Sequence, residues 1–207
     1  MSAGNRRATG LSHRAVAMAA AGVLVVGAII AAVVLIAAPS PSTPTVFAMG
    51  VPRSAPAGWH RTALADGGGV LAYPPAMHLV EGDRGTVSAA QLNRSGRYLL
   101  YLNATPRQGD ETLQNWPSFR VSHLLDDDAS VAHELASVIG VRFLGGGTGV
   151  CVSDTYVTKV GAHHFTEIAC FVLGLTSASV IIAAAPTASW PSSSSLLRRA
   201  IAGYQVR

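Results

Sequence analysis

The chain has 207 residues, 49% hydrophobic, 6% aromatic and 13% charged, with a formal net charge of +4. Arg6, Arg7, Arg14 and Arg53 carry that excess, and basic and acidic residues balance from Ala57 to Arg207. A balanced domain has no electrostatic footprint for nucleic acid, whose binding rests on neutralised phosphates, so that class of partner is excluded.

Residues 1–14 read as a short basic tail and 15–38 as an unbroken apolar run with no charge or proline. At 1.5 Å per residue that run makes a helix roughly 36 Å long, enough to cross a hydrocarbon core of about 30 Å. The basic flank predicts a cytoplasmic amino terminus and an extracytoplasmic remainder, a single-pass protein of the cell membrane whose first partner is the lipid bilayer itself. A cleaved signal peptide is the competing reading. Its apolar region is typically about 7 to 15 residues, and Pro39 follows the small-residue site at Ala38, which favours a retained signal-anchor. Residues 39–56 carry five prolines among serines and threonines and read as a semi-rigid linker. Residues 57–207 are the right length for one domain with one core.

Within that domain the pattern predicts strands at Trp59 to Ala65 and Val70 to Tyr73, joined by Gly67-Gly68-Gly69 and stopped by Pro74-Pro75. Further strands are predicted at Thr86 to Leu92 and Tyr98 to Ala104, separated by the turn-prone Asn93-Arg94-Ser95-Gly96. A short helix is expected to start at Trp116-Pro117. A second is predicted from Val131, Leu135, Val138 and Ile139, spaced i, i+4, i+7 and i+8 behind Asp126-Asp127-Asp128, whose charges suit a helix start. Val150 to Thr158 and His163 to Leu173 read as a hairpin, and Leu197, Ala200, Ile201 and Tyr204 mark a terminal helix opened by Pro191. The fold class is therefore α+β, a mainly antiparallel sheet flanked by helices behind an amino-terminal transmembrane helix.

A hairpin that pairs Thr158 with His163 opposes residues whose numbers add to 321, and Cys151 and Cys170 are such a pair. Direct opposition brings α-carbons close to disulfide range, and an oxidising exterior favours the bond. The spacing offers no Cys-x-x-Cys for metal or redox chemistry. The same register opposes Asp154 to Glu167, beside Tyr156 and Phe165. Like charges so placed need an offset: an arginine such as Arg97, Arg120 or Arg142, a proton on one carboxyl, or a bound cation. Other constellations fail. His133-Glu134 is followed by Ser137 where a zincin needs histidine, and His163-His164 point to opposite strand faces. Gly145-Gly146-Gly147-Thr148-Gly149 leads into a strand and lacks the Gly-Lys of a phosphate loop. No metal, cofactor or catalytic residue is assigned.

Trp59, the glycine turn, Val70-Leu71-Ala72-Tyr73-Pro74-Pro75, Glu81-Gly82-Asp83 and the order of elements together resemble the Mog1/PsbP-like fold, which includes actinobacterial exported proteins of the LpqN-like type. Lys159 as the one lysine beside many arginines, with abundant alanine, suits such a GC-rich genome. The resemblance implies an antiparallel sheet flanked by helices, in accessory or binding proteins without catalysis. The functional expectation is a membrane-anchored, extracytoplasmic, non-catalytic binding or accessory protein of the cell envelope that engages an envelope protein or small ligand. A cell-envelope hydrolase or transferase with an acidic site at Asp154 and Glu167 is the alternative, and a structural assembly factor a third reading. The expected contacts are Tyr101, Asn103, Arg107, Asp110, Glu111, Asp154, Tyr156 and Glu167, with Arg107, Asp110 and Glu111 as exposed charges of a polar loop from Thr105 to Trp116. A polar pocket holding two or more buried, perturbed groups would favour the enzyme. An exposed apolar patch around Trp116, Trp190 or Tyr204 would favour a protein partner.

Overall fold

The computed structural model describes Phe47 and residues 52–207. The cytoplasmic tail at 1–14 and the membrane helix at 15–38 lie outside the described residues, among which no helix is long and apolar enough to cross a membrane. Within the stretch read as linker, Phe47 is buried in the domain core and the Arg53 amide donates to the Ala202 carbonyl at 3.0 Å. The packed unit thus takes in part of 39–56.

Two antiparallel sheets make the domain. The smaller contains β1 (His60–Ala63), β2 (Gly69–Tyr73) and the terminal β10 (Gln205–Val206), in the order β1-β2-β10. The larger contains β3 (His78–Val80), β4 (Val87–Leu92), β5 (Tyr98–Pro106), β6 (Ala129–Arg142), β7 (Thr148–Thr158), β8 (His164–Leu173) and β9 (Ala178–Pro186). Its order is β3-β4-β5-β9-β8-β7-β6. Helix α1 (Trp116–Asp127) joins β5 to β6, and α2 (Trp190–Ala202) follows β9 through a short 3-10 turn. The central stretches of β7, β8 and β9 are buried on both faces, which is why Val150 to Val152, Ile168 to Val172 and Val180 to Ala185 are runs of apolar residues.

One face of the large sheet, with Leu102, Cys151, Ile168, Cys170, Ile181 and Ala183, packs against Leu197, Ala200 and Ile201 of α2 and against Leu71 and Tyr73 of β2. Tyr204, just past α2, is fully buried there and donates to the Ser179 hydroxyl at 2.8 Å. Gly69 is required beneath it, because a Cβ at that position would overlap the Tyr204 hydroxyl. The opposite face carries Val150, Val152, Ala169, Phe171 and Val180, and is covered by Trp116 at the head of α1.

The second predicted helix is a correction. Val131 to Ile139 belong to β6, an edge strand broken by bulges at Ala129/Val131, Glu134/Ala136 and Ile139/Val141. Each bulge inserts an extra residue and interrupts the alternation of faces, so a period of two gives way to spacings of three and four that imitate a helix. Val131, Leu135 and Ile139 are exposed, while Ala136, Val138 and Val141 pack on the core. Gly140, at φ +80° within the third bulge, and the β-branched Val131, Val138, Ile139 and Val141 were the contrary signals. The acidic run therefore ends α1 instead of opening a helix. Carboxylates there oppose the helix dipole, and Lys159 answers by donating to the Asp126 and Asp127 carbonyls at 2.6 and 3.2 Å.

The hairpin of β7 and β8 has the expected register. Cys151 lies opposite Cys170, Asp154 opposite Glu167 and Tyr156 opposite Phe165, and the Thr158 amide donates to the His163 carbonyl. The Cys151–Cys170 disulfide is formed across α-carbons 4.0 Å apart.

Candidate functional site

Beside α1, on the face of the large sheet that this helix covers, lies a cavity of about 380 Å³. Its walls are α1 (Trp116, Phe119, Arg120, His123, Leu124), the inward positions of β5 and β9 (Tyr101, Asn103, Thr105, Val180, Ile182), Tyr156 and Glu167 of the disulfide-bridged hairpin, and loop residues Asp83, Thr86, Gln108, Gly109, Glu111 and Asp128. Alternation along β5 sends Tyr101, Asn103 and Thr105 to this face while Leu102 and Ala104 enter the main core.

Trp116 anchors the wall: its ring is 2% exposed, stacks near Phe119 and Phe171, and its indole N–H donates to the Ala169 carbonyl at 2.9 Å. Pro117 suits the first turn of α1, whose opening amides need no intrahelical partner. Asn115, at the cap position, spends its side chain on the preceding loop, accepting from the Thr112 amide and donating to the Asp110 carbonyl. One turn after Trp116, the same helix face delivers Arg120 to the sheet. Its Nε and Nη2 donate to the two Glu167 oxygens at 2.7 and 3.0 Å, with both residues buried. Of the three arginines considered for offsetting the opposed carboxylates, Arg120 is the one in place. Burial works against the guanidinium charge, but the Glu167 carboxylate more than offsets it, so the Arg120 pKa is raised.

Asp154, directly opposite Glu167 on the neighbouring strand, is fully buried, and neither of its carboxyl oxygens has a hydrogen-bond partner. Burial first, then the Glu167 carboxylate, raises its pKa to about 9, with Arg120 acting in the opposite sense. A carboxyl shifted that far upward holds its proton at pH 7, so Asp154 is read as a neutral acid. Two of the three anticipated offsets operate together: an arginine on one carboxyl and a proton on the other. Tyr156, stacked on Phe165 at 5.6 Å, has its phenol pKa raised by burial and then by Glu167. Tyr101 is raised by burial as well, and its hydroxyl shares Ser88 with the Asn103 amide.

Among the anticipated contacts, Tyr101, Asn103, Glu111, Tyr156 and Glu167 line the cavity. Arg107 and Asp110 are exposed and do not, and neither does Asp154, which is fully buried. Glu111 is not an exposed loop charge: it is 3% exposed and accepts from the Gln108 and Gly109 amides at 2.7 and 2.8 Å. The apolar patch imagined around Trp116, Trp190 and Tyr204 is not formed. Trp116 and Tyr204 are buried, and Trp190 packs on the core. Gln108 falls in the loop from which contacts are expected, whereas sequence reasoning missed Asp83, Thr86, Phe119, His123 and Asp128 as wall residues. No pattern in their local sequence distinguishes them from other loop and helix positions.

No protein-family model matches the chain, and no curated protein matches it either. Among solved structures it is similar to the cyanobacterial PsbP protein CyanoP of Synechocystis sp. PCC 6803, at 16% identity and a TM-score of 0.50, over 76% of this chain and 96% of that one. It is also similar to a Pseudomonas aeruginosa protein of unknown function at 8% identity and a TM-score of 0.41, over 70% of this chain and 94% of the other. LpqN of Mycobacterium tuberculosis, involved in cell envelope biogenesis, aligns at 11% identity and a TM-score of 0.36, over 72% of this chain and 90% of its own. The similarity to CyanoP, across nearly all of that protein, shows that the chain has the PsbP-like fold expected from its sequence.

Proposed function

We propose that this chain is a non-catalytic binding or accessory protein of the cell envelope, anchored through residues 15–38, with its domain outside the membrane and its ligand site in the cavity beside α1. The observation that carries the reading is the state of the charged groups there. Glu167 is held by Nε and Nη2 of Arg120, Glu111 by two backbone amides, and the neutral acid Asp154 is fully buried and outside the lining. The count of buried, perturbed groups meets the criterion set for an enzyme, but Arg120 and Glu167 are engaged with each other, the Tyr101 hydroxyl with Ser88, Asp154 is not among the lining residues, and the raised pKa of the Tyr156 phenol keeps it from serving as a base. A general acid or base must lie within hydrogen-bond reach of the proton it moves, and a nucleophile needs a free base beside it. Such an arrangement suits recognition by a preformed wall. The disulfide and the basic flank of the apolar run support an oxidising, extracytoplasmic setting.

The test has two arms. A reporter active only outside the cytoplasm, fused after Arg207, should be active in a GC-rich bacterial host, and an inactive fusion refutes the topology. For the site, the intact protein is crosslinked in that membrane and recovered beside Ile182→Trp, which fills the cavity. Species captured by the wild type and lost from the variant support the cavity. Identical capture by both refutes it as the site, and turnover of an envelope substrate by the purified protein refutes the non-catalytic reading.

A further inference from the structure

The chemistry of the wall selects among ligands, on the reading that the cavity is a binding site. Four carboxylates line it, Asp83, Glu111, Asp128 and Glu167, against the single guanidinium of Arg120. That guanidinium is already spent on Glu167, so an anionic ligand would find no free cationic donor in the wall and would meet the remaining carboxylates. Outside the wall, Arg107 Nε donates to the Gly109 carbonyl and Lys159 Nζ to the end of α1, while Arg84 is exposed on the loop between Asp83 and Thr86. His123, also in the wall, faces the Asp127 carboxylate at 3.4 Å. The same cavity is lined by the rings of Tyr101, Trp116, Phe119 and Tyr156. Aromatic rings with excess carboxylate are the combination that attracts an organic cation, through the ring quadrupole and through charge. We propose that the cavity takes a small organic ammonium compound, primary or quaternary, free in solution.

A cavity of about 380 Å³ falls in the range of small-molecule sites. Two of the carboxylates, Asp83 and Asp128, are on exposed residues and can be neutralised without disturbing the core. Glu111 and Glu167 are structural as well as charged, so they are poor test positions. The full-length protein in neutral detergent is titrated by calorimetry with choline, with 1,5-diaminopentane and with spermidine. The controls are 3,3-dimethyl-1-butanol, the uncharged isostere of choline, and inorganic phosphate. The expected result is saturable binding of at least one ammonium probe, at least about tenfold tighter than the isostere and weakened by salt. Asp83→Asn with Asp128→Asn should weaken that binding about five- to tenfold, and Ile182→Trp should abolish it. Failure of all three ammonium probes to bind overturns the proposal, as does an isostere or phosphate that binds equally well, or ammonium binding unchanged in Ile182→Trp. Cavity-dependent capture from membranes combined with no ammonium binding would reject the cation while leaving the cavity as the site. Ammonium binding with capture indifferent to Ile182→Trp would separate the two the other way.

Discussion

Asp154→Asn is the most direct probe of the charge arrangement beneath the cavity. The substitution replaces a fully buried acid by a neutral side chain of nearly the same shape, next to the Glu167 carboxylate. An acid with a folded pKa of about 9 retains a proton that the unfolded chain releases near pH 4. Its contribution to stability is therefore fully present below the unfolded pKa and is lost as pH rises towards the folded one, at a slope of at most about 1.4 kcal/mol per pH unit. From about pH 5 to about pH 8 the wild type should lose up to about 4 kcal/mol through this group, less where Glu167 shares the titration. The variant has no such proton to lose. Urea unfolding followed by tryptophan fluorescence at both pH values should show the variant gaining on the wild type by about 2 to 4 kcal/mol across that interval. Parallel stability curves for the two proteins would mean that Asp154 is ionised in the folded state at both pH values, and would refute the neutral-acid reading.

Three further outcomes are expected. Arg120→Ala should cost about 3 to 5 kcal/mol in denaturant unfolding because it strands the buried Glu167 charge, whereas Arg120→Met combined with Glu167→Leu should recover most of the loss. Thiol labelling of the unreduced, denatured protein should find no free cysteine, and reduction of Cys151–Cys170 should lower stability by about 3 kcal/mol, as loop closure over this separation implies. Glu111→Ala should cost about 1 to 3 kcal/mol by leaving the Gln108 and Gly109 amides without their acceptor, while Arg107→Ala and Asp110→Ala stay within about 0.5 kcal/mol.

How much of this molecule could be read from its sequence follows from how far each contact reaches along the chain. The β7–β8 hairpin was legible because a short turn fixes the register, and one pairing then determines every opposed pair, the cystines and carboxylates included. Terminal helix α2 was legible because Leu197, Ala200 and Ile201 all face the core with helical spacing. Edge strand β6 was misread because its bulges break the alternation on which strand recognition depends, and because one of its faces is solvated, leaving apolar Leu135 and Ile139 where polar residues would have shown the pattern. Short β3 pairs with β4 alone and holds Leu79 exposed, so it carries too little periodicity to register.

The cavity was legible only in part, for a physical reason. Tyr156 and Glu167 follow from hairpin register, and Tyr101 and Asn103 from alternation along β5, but the opposite wall depends on how α1 docks, which no local pattern encodes. One clue did cross that gap. Two carboxylates forced face to face in a buried register demand compensation, and the covering layer is the natural source once the sheet face is filled by Val150, Val152, Ala169 and Phe171. The helix over that face carries one arginine, Arg120, placed four residues after the Trp116 anchor, so the spacing that seats the indole also seats the guanidinium over Glu167. A single guanidinium gripping one carboxylate at both oxygens leaves the second carboxyl beyond its reach, and protonation of that second group is the remaining way to bury it. The like-charged pair thus predicts both its partner on another element and its own uneven titration, and it does so because burial makes an uncompensated charge more costly than a perturbed pKa.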